Sequence, residues 1–187
     1  MLDDINMSIE IAQESMGSAI ERLHKELQKL RTGKAGPNMV NDILVPYYGT
    51  PTPMKQIANV SKSDARTLVI QPWEKPLLSA IEKAIFEANL GITPMNDGEM
   101  IRLSIPPLTE ERRKQLVKQA KSLGEDAKIS IRNARKDAMG SIKKAVKDGF
   151  SEDAGKGKEE EVQNATNSFT KEVDKLIEIK EKDIMTI

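Results

Sequence analysis

The sequence predicts an α+β protein: a long three-helix bundle with a small, β-rich α/β domain inserted between helices one and two. Two observations carry the prediction. All nine prolines lie between Pro37 and Pro107, and a helix interior excludes proline, which lacks an N–H and clashes with the preceding turn. The two flanking blocks instead repeat apolar residues at spacings of three and four, the period of an amphipathic helix. The bundle is therefore expected over 1–31 and 106–187, and the inserted domain over 32–105. A chain of 187 residues suffices for one large domain or two small ones.

The first helix is expected over 2–31, on Leu2, Ile5, Ile9, Ala12, Met16, Ala19, Leu23, Leu27 and Leu30. It closes at Arg31-Thr32-Gly33, where glycine permits a sharp exit. His24, the one histidine, lies beside this stripe; with no Cys or Ser partner nearby, a place on the bundle flank accounts for it better than a role as base. In the inserted domain, residues 42–48 form a β-branched and aromatic run broken by Pro46, and 49–53 a turn or edge segment. Residues 57–60, 67–71 and 100–105 read as strands, 77–89 as a short amphipathic helix stopped by Gly91, and 96–98 as a turn. Tyr47, Tyr48, Trp73 and Phe86 are expected mostly to pack the core or rim of this domain, with stacking on bases as the alternative.

The second bundle helix is expected over 107–147. Pro106-Pro107, Thr109 as cap, Glu110 and Glu111 in the first turn, and Lys143, Lys144 and Lys147 before Gly149 mark its ends. Its buried stripe is Leu116, Ala120, Leu123, Ala127, Ile131, Ala134, Ala138, Ile142 and Ala145. A third helix over 151–185 follows Val162, Ala165, Phe169, Val173, Leu176 and Ile184, with Lys180 as a polar break. Ser151 can cap it, although Gly155 and Gly157 weaken its first two turns. The chain crosses between the bundle and the insertion twice, at Thr32 and Gly33 and at Ser104, Ile105, Pro106 and Pro107; glycine on one side and proline on the other read as a hinge.

Formal net charge is zero, but it is unevenly spread. Residues 106–148 carry 12 Lys/Arg against 6 Asp/Glu, whereas 149–187 carry 6 against 10. Lys114, Lys118, Lys121, Lys128, Arg132, Arg135, Lys136, Lys143 and Lys147 all fall within roughly 60° of Arg132 on a helical projection. Two readings stand side by side: a solvated face ion-paired to the acidic third helix, or a ridge for a polyanion, to which arginines one turn apart are well suited. Few Asn or Gln accompany these bases, so the ridge fits phosphate backbone better than base edges.

Cysteine is absent, which removes disulfides, thiolate catalysis and Cys-based zinc sites. With one histidine, no metal site is expected. Neither 33–37 nor 155–158 has phosphate-loop spacing, so no enzyme activity and no cofactor are expected. The acidic opening MLDDINMSIE lacks an apolar core, and no run of about 18 apolar residues occurs; neither a signal peptide nor a membrane span is expected. A coiled-coil adaptor using its apolar seams for protein partners is a further class.

Four segments resemble the ribosome recycling factor family: Leu30-Arg31-Thr32-Gly33-Lys34-Ala35; Tyr47-Tyr48-Gly49-Thr50-Pro51-Thr52-Pro53; Pro106-Pro107-Leu108-Thr109-Glu110-Glu111-Arg112-Arg113-Lys114; and Arg132-Asn133-Ala134-Arg135-Lys136-Asp137-Ala138. The resemblance covers essentially the whole chain and the order of its blocks. It implies an L-shaped, two-domain cytoplasmic monomer that superficially mimics tRNA. Such a protein binds large-subunit ribosomal RNA at the intersubunit face after termination and, with elongation factor G and GTP, splits the ribosome into subunits. The family's important arginine falls on Arg132, with Arg135 one turn on, and Arg31 matches the arginine before the hinge. The RNA-binding set expected on this basis is Arg132, Arg135, Lys128, Lys121, Lys136 and Arg31. The stretch after Gly149 departs from the family pattern, which leaves the start of helix three open.

Overall fold

The computed structural model describes residues 1–186. The first apolar stripe becomes helix α1, Leu2–Lys29, with Ile5, Ile9, Ala12, Met16, Ala19, Leu23 and Leu27 buried. Leu30 is already extended, so Arg31 lies beyond the last turn rather than on it. Contacts divide the chain into two compact units: Thr32–Thr109, and Met1–Arg31 with the chain from Glu110 on.

The middle unit is built on antiparallel strands. β1 (Leu44–Tyr47) and β2 (Thr50–Pro53) form a ribbon in which Pro46 faces Pro51 and Leu44 faces Pro53. Tyr48 and Gly49 make its two-residue turn, both at positive φ (48° and 79°), the backbone that matches the twist of a tight hairpin. A single turn, α2 (Met54–Ile57), leads into β3 (Ala58–Asp64) and β4 (Thr67–Pro72). Ile57, expected to open a strand, is thus the last residue of α2, buried as an apolar plug while the strand starts one residue later. Helix α3 (Leu78–Glu87) follows a short 3-10 turn; β5 (Met95–Asn96), which has no period of its own to announce it, and β6 (Ile101–Ser104) complete the sheet in the order β3-β4-β6-β5.

Alternation places Leu68 and Ile70 of β4 and Ile101 and Leu103 of β6 on one face. There they meet Leu78, Ile81, Ala84 and Ile85 of α3, with Val40, Val45 and Met54. This core is aliphatic. Of the four aromatics expected mostly at the core or rim, only Tyr47 packs against the core, whereas Tyr48 is 83% exposed, Trp73 68% and Phe86 59%. Tyr48 occupies a hairpin turn, and Phe86 faces away from the α3 residues that pair with the sheet.

The bundle resumes with α4, Glu110–Lys147, 38 residues and so about 57 Å long. Its buried line is Leu116, Ala120, Gly124, Ala127, Ile131, Ala134, Ala138 and Ile142. Gly124, rather than the expected Leu123, holds its place in the line because α5 (Glu152–Met185) comes too close for a side chain. A Cβ added there would stand 2.8 Å from Cγ1 of Ile177. The same reason explains Gly155, read from sequence as a weakness in the third helix. It is buried, and a Cβ would meet Val146 Cγ2 at 2.7 Å. Ser151 caps α5, its hydroxyl accepting from Ala154 N at 3.4 Å.

Lys180 interrupts the apolar series of α5 in partial burial, and that burial pushes its pKa down despite the opposing charge of Asp183. Replacing it by leucine, Lys180→Leu, is expected to raise unfolding free energy by about 0.5–1 kcal/mol through lost desolvation and added apolar burial. Because the amine's folded pKa lies below its ordinary 10.5, the gain should be full at neutral pH and shrink as pH approaches that value; denaturant midpoints across pH test this. In the sheet unit, Asp64 Oδ1 accepts from Arg66 N at 2.8 Å, and Asp97 Oδ1 from Met100 N at 2.9 Å and Glu99 N at 3.0 Å. These backbone bonds, led by those from Arg66 and Met100, hold both carboxyls below their ordinary 3.8. Their stabilisation is present above that value and is lost as pH falls through the depressed folded pKa values. An Asp64→Asn/Asp97→Asn variant should therefore show a flatter acid limb below about pH 4 in thermal melts.

Candidate nucleic-acid interface

One face of α4 is committed to the core, and the angular offset from that face decides what each cation can do. Ile131 is fully buried, while Arg132, one position and about 100° on, has its side chain 62% exposed. Lys121, Lys128 and Arg135 lie nearer the core, along the seam with α5. There α5 supplies a partner to each. Lys128 Nζ stands 2.6 Å from Asp174 Oδ1, Lys121 Nζ 3.6 Å from Glu181 Oε1, and Arg135 Nε donates to Gln163 Oε1 at 2.8 Å. Lys128 is accordingly only 25% exposed. Arg132, Lys136 and Lys143 point farther out. Arg135, Lys136 and Lys143 line one groove with Met139, Gly140 and Glu159.

The two readings of the stripe therefore divide the residues between them. Lys121, Lys128 and Arg135 are engaged by α5, as a paired solvated face requires. Arg132 and Lys136 remain presented outward, as a ridge requires. Glu125 contacts both groups, 3.6 Å from Arg132 Nη2 and 3.8 Å from Lys128 Nζ. Arg31 lies past the end of α1 and is exposed. Sequence reasoning missed Ile129, 50% exposed one turn before Arg132 and Asn133; its position off the apolar stripe was the available signal. His24 is exposed and its Nε2 lies 3.2 Å from Gln28 Nε2, on the flank. Among the described residues no group of His, Cys, Asp and Glu could hold a metal ion, and no helix is long and apolar enough to cross a membrane.

The two chain crossings are held on the sheet side by main-chain bonds. Ala35 N donates to Ala65 O at 2.9 Å, and Ile105 N to Arg66 O at 2.7 Å, so both crossings hang on the β3–β4 turn. Asp64 braces that turn through Arg66 N. Ser104 is the last residue of β6, opposite Thr67, and Ile105 is buried; of the expected hinge set these two belong to the sheet. Gly33 adopts φ +74° with Leu108 packed over it. The Nε of Arg113, just inside α4, is buried without a hydrogen-bond partner.

A second cluster sits at the β1–β2 turn. Tyr47 and Tyr48 pack edge to face at 4.5 Å and donate to the two oxygens of Glu74, each at 3.4 Å. Burial, then the Glu74 charge, pushes the Tyr47 phenol up. The run of two tyrosines before glycine was legible; Glu74, 26 residues on, was not.

Bundle, inserted sheet unit and cationic ridge define a two-unit protein with a charged helical edge. Comparison with known proteins gives the particular family. The profile described as ribosome recycling factor matches residues 23–185. The ribosome-recycling factor of Flavobacterium johnsoniae is 52% identical over 187 residues, covering all of both chains. That of Porphyromonas gingivalis is 50% identical over 98% of this chain and all of its own. The solution structure of a ribosome recycling factor superposes with a TM-score of 0.83 at 37% identity over the whole of both chains. A second neighbour, the Thermus thermophilus factor in models that place it with Escherichia coli elongation factor G on the post-termination complex, gives 0.64 at 40% identity over 97% of this chain and 99% of its own. The chain belongs to the ribosome recycling factor family of translation factors.

Gly33→Ala is expected to cost about 1–2 kcal/mol, because the added Cβ would lie 2.9 Å from Leu108 Cγ at a φ that side chains avoid. Gly36→Ala, at φ −149° with nothing within 4 Å, should stay within about 0.5 kcal/mol of the parent. Urea unfolding of both variants makes the comparison.

Proposed function

We propose that this protein binds the post-termination ribosome through the cationic edge of α4 laid on large-subunit RNA at the intersubunit face. With elongation factor G and GTP, it then promotes separation of the subunits. The observation that carries the reading is Arg132: an exposed guanidinium fixed one residue from a fully buried isoleucine, on a helix long enough to act as a strut. The likeness to a factor placed with elongation factor G on a post-termination complex supports it. Arg132 and Lys136 make the outer phosphate contacts. Arg135 shares them from the seam, Lys128 and Lys121 reach phosphate by exchanging partners with Asp174 and Glu181, and Arg31 contributes beyond α1.

The protein acts as a monomer in the cytoplasm, carries no cofactor and makes or breaks no bonds; the GTPase supplies the energy. The pivot lies at Thr32 and Gly33 on one crossing and Pro106 and Pro107 on the other, with Ser104 and Ile105 as the anchor on the sheet side.

Arg132→Ala should leave the unfolding midpoint unchanged and weaken ribosome binding about tenfold or more, the scale of a lost charge-assisted contact. The dependence of log affinity on log salt should fall by about 0.7–0.9. Pelleting with ribosomes at several salt concentrations measures both. Subunit formation followed by light scattering with the translocase and GTP should slow in parallel. Unaltered binding by the folded variant would overturn the RNA-docking reading.

A further inference from the structure

Between Lys121 and Lys128 the stripe of cations on α4 is interrupted by a carboxylate, Glu125. Glu125 lies 3.6 Å from Arg132 Nη2 and 3.8 Å from Lys128 Nζ, and its side chain is 63% exposed. Lys128, however, is already held by Asp174 at 2.6 Å, the shorter of its two contacts. The Glu125 charge is therefore left facing Arg132. Across the seam, Glu125 shares a groove with Lys121, Lys128, Asp174, Glu178 and Glu181, in which acids outnumber bases. On the other side of Arg132, toward Gly149, the groove formed by Arg135, Lys136 and Lys143 contains one acid, Glu159. Acids thus outnumber bases in the groove on one side of Arg132, and bases outnumber acids in the groove on the other.

We infer that Glu125 is an affinity-limiting residue: a built-in anion that competes with RNA phosphate for Arg132. The inference rests on the reading that Arg132 contacts ribosomal RNA. Its logic is electrostatic. An exposed ion pair at 3.6 Å is weak and easily displaced, so Glu125 does little to hold Arg132 in place. A phosphate arriving at the guanidinium brings a second negative charge within a few ångströms of the carboxylate. That repulsion is less than a Debye length away and is not screened out. The bound state is weakened and its dissociation speeded, which suits a factor that must leave the ribosome after each round.

The test uses the full-length protein and purified ribosomes. Glu125→Gln keeps the shape and hydrogen-bonding capacity of the side chain and removes its charge. It should bind about two- to fivefold more tightly near 0.1 M salt, the size of one unit-charge repulsion at several ångströms in high dielectric, with a lower dissociation rate and a steeper salt dependence. Its unfolding midpoint should match the parent, since Asp174 still holds Lys128. In an Arg132→Ala background the gain from Glu125→Gln should shrink by at least half, as a coupling through that guanidinium demands. Unchanged affinity, or weaker binding that marks Glu125 as a positioning group for Arg132, overturns the inference. If Arg132→Ala alone binds like the parent, it is the RNA-docking reading that fails, a result separable from the first.

Discussion

The approach of α5 to α4 sets the rest of the bundle. Interaxial distance depends on the side chains at the crossing, and here the crossing is made at Gly124 against Ile177 and repeated at Gly155 against Val146. Between these points α4 offers mostly alanine to its neighbours: Ala127, Ala134 and Ala138. The closeness has an electrostatic consequence. It brings Gln163, Asp174 and Glu181 within reach of the flank of α4, so that Arg135, Lys128 and Lys121 meet partners on α5, Lys121 while still 64% exposed. Those only one helical position farther around stay outside that reach. A steric property of two glycines thereby bears on which charges of α4 are paired within the bundle.

Much of this was legible in the sequence. The three long helices and the inserted sheet unit follow from proline placement and apolar period, which are dictated by backbone chemistry and do not depend on distant partners. What was illegible depended on pairs far apart in the chain. Gly124 and Gly155 look like weaknesses until the opposing Ile177 and Val146 are known. Arg132 and Lys128 fall in one stripe on a helical projection, and their difference shows only once the facing Asp174 of α5 is seen to hold Lys128. The sheet unit shows the same limit. Its aromatics have the composition of a core, but the core is filled by aliphatics whose alternation along β4 and β6 matches the covering face of α3. Tyr48 is taken by turn geometry, where φ outranks hydrophobicity.

The crossings between the units draw their order from a turn rather than from their own residues. Ala35 and Ile105 are separated by 70 positions, yet their N–H groups end on adjacent carbonyls, Ala65 and Arg66. The β3–β4 turn thus acts as a common cleat. Between cleat and helix, one crossing has a left-handed glycine and the other two prolines.

The β1–β2 ribbon raises a matter of colloidal behaviour. In an antiparallel pair, alternate positions turn their N–H groups away from the partner strand. A pair of facing prolines fits only at such positions, since proline has no N–H to give. Pro46 opposite Pro51 therefore fixes the outward set as Leu44, Pro46, Pro51 and Pro53, three of which are proline. An isolated ribbon has two open edges, ordinarily a template for another chain to add a strand. This one offers almost no outward donors to such a guest. The ribbon is thus a poor template for an added strand, guarded at its edges by an absence of hydrogen rather than by charge.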